Sequence, residues 1–192
     1  MPKSLSTISF QKSNMLKKDP LLSFEKISKQ WLFDLEHYTN EVLYQKPSET
    51  QWCLAELFDH IIRVARTYQL PNFNNCIQNN IRKGALKNGT AYLVFDLNII
   101  PYKKIRMESF PTKVARDFNP LERDANELIE DFKLFINEVK RNAALLSNFD
   151  KKTKHFHPFF GMINAKEWFS LVEIHMRHHS KQKKRLESLK LS

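Results

Sequence analysis

The chain has 192 residues, of which 42% are hydrophobic and 27% are charged, and this composition is typical of a single globular domain. Its three glycines, Gly84, Gly89 and Gly161, are too scattered to form a GxGxxG motif or a P-loop, and their scarcity argues against an all-β sandwich. The formal net charge of +10 favours acidic partners, but the basic residues are spread along the chain without a nucleic-acid-binding motif. We therefore favour a basic, solvated surface over a nucleic-acid-binding one.

Hydrophobic periodicity predicts two helices in the first half of the chain. The first covers residues 22–44, where large apolar side chains recur every three or four positions. The second starts at position 48 or 51, after Pro47 breaks the pattern, and reaches position 69, where Pro71 is expected to end it.

Two further helices are predicted in the second half. The third covers residues 120–147, with Pro120 near its start, where a missing N–H costs little. The fourth covers residues 164–189, because Asn164 followed three residues later by Glu167 is a variant of the capping box.

A long connection, residues 70–119, separates the second and third helices. A short helix is predicted over residues 72–83, and the glycines and prolines of the remainder favour irregular structure. The predicted fold is therefore all-α, a four-helix bundle with a long crossover connection between helices 2 and 3. Residues 21–192 are predicted to form this single domain, and residues 1–20 to be a basic, loosely attached segment.

The two cysteines, Cys53 and Cys76, do not form a disulfide framework, and Cys53 is expected to pack rather than react. The start of the chain lacks the apolar region of a signal peptide, and the longest apolar run, Ala91–Phe95, is too short to span a membrane. These features predict a cytoplasmic protein without a membrane partner.

Three of the seven histidines are placed where they could share a metal ion. His175 and His179 are four residues apart, so their side chains leave the same helix face with Cβ atoms about 6 Å apart. His60 lies on or beside the apolar face of the second helix, where an imidazole needs a partner. Three protein ligands leave positions open on the ion, as in catalytic sites, where water or a thiol can bind.

The spacing alone allows other interpretations. The commoner explanation of two histidines four residues apart is a basic tail with solvated side chains, and the glutamate of an HExxH protease motif is absent between His175 and His179. His155 and His157 precede a proline and are expected at the surface or in loop hydrogen bonds. Glu56, one turn before His60, could orient that imidazole or form a surface ion pair.

Two segments of the chain resemble the conserved motifs of the DinB-like (damage-inducible, YfiT-like) superfamily, in the same order and at the same spacing. The first runs from Trp52 through Glu56 to His60, with a cysteine at the small residue that usually follows the tryptophan. The second contains the stretch from His157 to Ile163, then Glu167 and Trp168, then His175 to His179, and finally Gln182. The resemblance covers residues 22–190.

The resemblance implies a four-helix bundle, commonly a homodimer, that binds a divalent metal through His60, His175 and His179. Zinc or nickel is favoured as the ion, with iron, manganese and copper as further candidates, because imidazole suits most of these metals. Gln182 is then a hydrogen-bond partner behind a ligand or a contact to a neighbouring helix. The superfamily includes thiol-dependent S-transferases and a mycothiol-dependent isomerase, in which the metal is thought to lower the pKa of the thiol.

Two hypotheses about function follow. In the first, the protein is a metal-dependent enzyme for thiol transfer, or a related addition or hydrolysis, whose small-molecule partner is a low-molecular-weight thiol. In the second, it is a non-catalytic, metal-stabilised binding or stress-response module. Nucleic-acid binding by the basic tail ranks below both. No motif is assigned to residues 70–119, so the substrate is left open.

Overall fold

Helices dominate the protein, for which a computed structural model describes residues 19–78, 86–100 and 112–189. The elements, in chain order, are α1 (Pro20–His37), α2 (Asn40–Tyr44), α3 (Leu54–Val64), α4 (Leu70–Ile77), α5 (Gly89–Ala91), α6 (Thr112–Phe118), α7 (Ala125–Ala143), β1 (Lys154–His157), β2 (Gly161–Asn164) and α8 (Ala165–Glu187). This content is consistent with the predicted all-α class. The predicted N-terminal segment lies outside the described residues, except that its last two, Asp19 and Pro20, begin α1.

The first predicted helix is interrupted in the structure. Tyr38 is extended, with a ψ of 137°, and ends α1. Thr39 then starts α2, because its hydroxyl accepts a hydrogen bond from Val42 N. This cap satisfies a donor that has no partner within the helix, so the chain restarts its helix here.

The second predicted helix continues past Pro71, contrary to the expectation that it would stop there. A π-helical turn over Ala65–Gln69 joins α3 to α4, and Leu70 N–H donates to Ala65 O, five residues back. Pro71 follows this wider turn, within the first turn of α4. A proline is tolerated at such a position because its missing N–H would have had no partner in the ladder.

The long connection is partly helical rather than irregular. It contains α5, a second π-helical turn over Tyr92–Asp96, and α6. The predicted short helix over residues 72–83 corresponds to the last six residues of α4, up to Ile77, and positions 79–85 lie outside the described residues. Asn88 fastens the connection to the hairpin, because its N–H donates to Phe160 O at 3.0 Å.

The third helix begins at Ala125, directly after Asp124, rather than at Pro120. The Asp124 carboxylate accepts hydrogen bonds from Asn126 N and Glu127 N and so caps α7. The helix ends at Ala143 and is followed by a 3₁₀ turn over Ala144–Asn148.

The start of α8 confirms the predicted capping box. Asn164 Oδ1 accepts from Glu167 N at 3.1 Å, and the Glu167 carboxylate accepts from Asn164 N at 2.9 Å. Before it, β1 and β2 form an antiparallel hairpin in which Lys154 pairs with Asn164. The residues of β1, which include His155, Phe156 and His157, were expected to form a loop rather than a strand.

His157, expected at the surface or in loop hydrogen bonds, is buried and makes a hydrogen bond within the loop. It is 7% exposed, and its ring lies 5.7 Å from that of Tyr68 and 5.1 Å from that of Trp168. Its Nδ1 accepts a hydrogen bond from Phe159 N at 3.1 Å. The turn after Pro158 therefore folds back over the imidazole and gives it the partner that burial requires.

The core lies where α1 and α3 each pack against both α7 and α8. The Phe58 ring on α3 lies near the centre, 5.2 Å from the Trp31 ring and 5.3 Å from the Phe132 ring. Among the described residues, none of the helices is both long enough and apolar enough to cross a membrane.

Candidate metal centre

Three imidazoles from two helices meet where α3 packs against α8. Each of His60, His175 and His179 offers one ring nitrogen, and the three nitrogens lie within 4.8 Å of one another. The His60 ring centroid lies 5.0 Å from that of His175 and 5.1 Å from that of His179. The structure thus brings together the three histidines that the sequence singled out.

The imidazole of His60 is held from behind by a main-chain carbonyl. His60 Nδ1 lies 2.7 Å from Phe118 O, which can only accept a hydrogen bond, so Nδ1 carries the proton. The lone pair of a neutral ring is then on Nε2. The ring is 5% exposed and lies 4.7 Å from the Trp52 ring, so its orientation is fixed on two sides.

His179 is held in a similar way by a side chain one turn further along α8. Its Nδ1 lies 2.9 Å from Gln182 Oε1, an acceptor, so this ring also keeps its lone pair on Nε2. Nε2 of His179 lies 3.1 Å from Nε2 of His175. Gln182 therefore occupies the place, behind a ligand, that metal-binding histidines commonly fill with an acceptor.

His175 differs from the other two because its Nδ1 is buried without a hydrogen-bond partner in the part of the chain that the structure describes. Its Nε2 points at His179. Without an ion, His175 Nε2 can donate its proton to the Nε2 lone pair of His179. His175 Nδ1 is then a buried acceptor without a described donor. An ion bound by the Nε2 atoms would take the place of that proton, while Nδ1 of His175 would carry a proton of its own without a described acceptor.

All three imidazoles are neutral at pH 7. Burial lowers the pKa of His60 to about 4 and that of His179 to about 3, and the neighbouring imidazoles add to the effect on His179. Burial and then the neighbouring His179 and His60 lower the pKa of His175 well below its usual value. Neutral imidazoles keep the lone pairs that metal ligation requires.

The donor set fits a divalent transition metal. Neutral imidazole nitrogens bind zinc at about 2.0–2.1 Å, and they suit nickel, copper and iron as well. In His60 and His179, an acceptor behind Nδ1 keeps the proton there and leaves the Nε2 lone pair free for a metal. Metal-binding histidines are commonly oriented in this way. Three protein ligands leave room for a further ligand on the ion.

Glu56, expected either to orient His60 or to form a surface ion pair, pairs with Lys46, and neither of its described hydrogen bonds goes to His60. One carboxylate oxygen accepts from Lys46 at 2.9 Å, and the other accepts from Cys53 N at 2.9 Å. Glu56 thus closes the N-terminus of α3. Cys53 is buried at that cap, and burial raises the pKa of its thiol, which agrees with a packing role.

Two contributors to the site could not be identified from the sequence. The carbonyl of Phe118 has no side-chain signature, and it comes from a segment to which no motif was assigned. Trp52 was expected to be part of the core rather than of the site, but its ring lies beside that of His60. The half-buried His178, expected to point away, has its ring 5.2 Å from that of His179 but lies outside the set of three nitrogens.

No family model matches the chain, and no curated protein matches it. The resemblance to the DinB-like superfamily therefore stays a prediction, carried by the motifs and their spacing.

Proposed function

We propose that the protein is a divalent-metal-dependent enzyme of the DinB-like type that acts on a low-molecular-weight thiol. The observation that carries the proposal is the convergence of three neutral imidazoles from α3 and α8, with nitrogens within 4.8 Å of one another. In the proposed site, His60, His175 and His179 hold the ion, while Phe118 O and Gln182 keep two of the rings in place.

The reaction class follows from what such an ion supplies. When bound, a divalent metal with an open position lowers the pKa of a coordinated thiol and presents it as a thiolate. The protein contributes fixed, neutral ligands in a buried setting, so the ion would keep its charge for the incoming sulfur. We propose zinc or nickel as the ion, and thiol S-transfer or a related addition or hydrolysis as the chemistry.

The proposal also includes the architecture and the partners. α1, α3 with α4, α7 and α8 would be the four helices of the bundle, since α1 and α3 each pack on both α7 and α8. A formal net charge of +10 suits a thiol that carries carboxylates. A homodimer is proposed as well, and sedimentation at micromolar concentration would test it, a monomer at every concentration being the contrary result.

The metal content of the purified protein tests the site directly. Wild-type protein prepared with ample zinc or nickel is expected to retain one equivalent of ion, and His60→Ala is expected to retain none. His178→Ala is the matched control, because His178 neighbours His179 without joining the three nitrogens, and it should bind like the wild type. Absence of stoichiometric metal in the wild type would overturn the proposal.

Turnover separates the enzyme from the alternative. Carboxylate-bearing thiols are incubated with a panel of electrophiles, and conjugation is expected to require the ion and to disappear in His60→Ala. If the wild type binds the ion but neither binds thiols nor conjugates them, the protein is instead a non-catalytic, metal-stabilised module.

A further inference from the structure

The end of the long crossover is fastened to the helix that carries His60. We call residues 117–121, which include the last two residues of α6, the strap. Three polar side chains of α3, Asp59, His60 and Arg63, each contact a main-chain group of the strap. His60 is itself a proposed metal ligand, Asp59 precedes it by one residue and Arg63 follows it by three. None of the three contacts was predicted.

The contacts form a short ladder. His60 Nδ1 donates to Phe118 O at 2.7 Å, and Arg63 Nε donates to Asp117 O at 3.2 Å. The Asp59 carboxylate accepts from Leu121 N at 2.7 Å. The strap therefore bonds to α3 on both sides of the carbonyl that orients His60.

The chemistry of a helix end explains why this ladder forms. The carbonyls of Asp117 and Phe118 belong to the last turn of α6, where carbonyl groups have no partner within the helix. The negative end of a helix also favours a cation such as the Arg63 guanidinium. Asp59 is 1% exposed, and its carboxylate is paired with the strap N–H, with Arg123 at 3.2 Å and with Arg63 at 3.9 Å.

We propose that the strap positions the metal ligand, with Arg63 and Asp59 as positioning residues that act on His60 through it. This inference rests on the proposed metal site. With the strap docked, the Phe118 carbonyl keeps the proton of His60 on Nδ1 and the Nε2 lone pair towards His175 and His179. With the strap displaced, the imidazole loses its acceptor and its fixed orientation.

Thermodynamic linkage gives the proposal a second consequence. If docking of the strap strengthens metal binding, metal binding must strengthen docking of the strap by the same factor. The crossover, whose sequence carries no ligand, thereby determines how tightly the ion is held.

The first test compares two arginines three residues apart. Arg63 contacts the strap, whereas Arg66 pairs with Asp131 and Glu138 on α7 at 2.6 and 2.8 Å, and the two side chains are 27% and 31% exposed. Zinc affinity is measured by competition with a chromogenic chelator, and the stability of the metal-free protein is measured by urea denaturation. Arg63→Gln is expected to weaken zinc binding about 10-fold. This is the low end of the loss that follows when a group supporting a metal ligand is removed.

Arg66→Gln is expected to lower the stability of the metal-free protein without changing zinc affinity. Arg63→Lys keeps a cationic donor for Asp117 O and is expected to recover most of the lost affinity. This conservative variant also keeps the comparison usable if Arg63→Gln fails to fold. Equal zinc affinities for Arg63→Gln and Arg66→Gln would overturn the proposal.

The second test needs no substitution in the strap or its contacts. Zinc is expected to slow hydrogen exchange at the Leu121 amide of the wild type, because that N–H donates to Asp59 when the strap is docked. In His179→Ala, which lacks a proposed ligand, zinc should have no such effect. Zinc binding to the wild type without slower exchange at Leu121 overturns the strap proposal alone, whereas no zinc binding at all overturns both proposals.

Discussion

Gly161 shows how one residue without a side chain fixes the contact between the crossover and the hairpin. Its φ of +72° lies in the left-handed region, and a Cβ there would lie 3.2 Å from the carbonyl oxygen of Leu86. The same residue forms an isolated antiparallel bridge with Lys87. An L-side chain would therefore meet both backbone strain and the neighbouring chain.

We expect Gly161→Ala to lower the free energy of unfolding by about 1–3 kcal/mol, the usual cost of a strained backbone conformation. Gly89→Ala is the matched control, because a Cβ at Gly89 meets no atom within 4 Å and its φ is not positive. Urea denaturation at pH 7 measures both. A loss of stability that is equal in the two variants would contradict this explanation.

His157 predicts a pH dependence that can be separated from the metal ligands. Burial lowers the pKa of His157 to about 3, while the unfolded chain titrates near the ordinary value of 6.5. Between these values the unfolded state binds a proton that the folded state does not. The contribution of neutral His157 to the free energy of unfolding is therefore complete above pH 6.5. As the pH is lowered below 6.5, this residue decreases the free energy of unfolding by about 1.4 kcal/mol per pH unit.

The measurement is the free energy of unfolding of the metal-free protein between pH 7 and pH 4.5, for the wild type and His157→Gln. The variant starts from lower stability at pH 7, because it loses ring packing against Trp168. Its decline with acid should be shallower by about 1.4 kcal/mol per pH unit. Parallel pH profiles would show that His157 takes up its proton without unfolding the protein.

At the scale of the elements, α1 and α8 are joined by a buried cation. Lys183 is 5% exposed, and its ammonium donates to Asp34 at 2.5 Å and to Glu187 at 2.6 Å. The ammonium also lies 5.7 Å from the centre of the Trp31 ring. Tyr38 donates to Glu187 as well, and burial followed by that hydrogen bond raises its pKa.

We expect Lys183→Met to lower the free energy of unfolding by about 2 kcal/mol, because hydrogen bonds to charged groups are lost and two carboxylates are left without their cation. The exposed Lys184 is the control, and Lys184→Met should change stability by less than about 0.5 kcal/mol. Thermal and urea denaturation check both variants. A cost as small for Lys183 as for Lys184 would show that water replaces the network.

The start of α8 and the apolar faces of the long helices were predictable, whereas the break at Tyr38, the cap of α7 at Asp124 and the passage through Pro71 were not. The reciprocal bonds of Asn164 and Glu167 make the start of α8 readable from the sequence, and the apolar periodicity located the other long helices. The passage through Pro71 was missed because the π-helical turn before it arises from packing, without a sequence signature. The hairpin was missed because its strands are four residues long.

The same distinction applies to the candidate site. Three histidines were predictable because their positions on helices place them on inward faces. Imidazoles that face a protein interior need a partner, and a shared metal ion can be that partner. The carbonyl of Phe118 was not, since any residue supplies a carbonyl and its place depends on how the crossover returns. Helical spacing left Glu56 either to orient His60 or to form a surface ion pair, and the structure pairs it with Lys46 and bonds it to Cys53 N at the start of α3.

At the scale of the whole molecule, the three histidines connect segments that are far apart in the chain. α3 carries His60, α8 carries His175 and His179, and the crossover supplies the carbonyl behind His60. An ion held by these residues would cross-link the two helices and, through the strap, the crossover. Because the unfolded chain does not hold these nitrogens together, an ion that binds the folded state alone raises the stability of the entire fold.

We therefore expect zinc at about 1,000 times its dissociation constant to raise the free energy of unfolding by about 4 kcal/mol, and a chelator to reverse the change. His175→Ala should lose this response, so that its free energy of unfolding is the same with and without zinc, whereas His178→Ala should keep it. The measurement is urea denaturation at pH 7 with buffered zinc. Because burial already keeps the ligands neutral well below pH 7, the gain should be nearly constant from pH 7 to pH 8. A gain that rises steeply over that interval would mean that the ion binds groups other than these imidazoles.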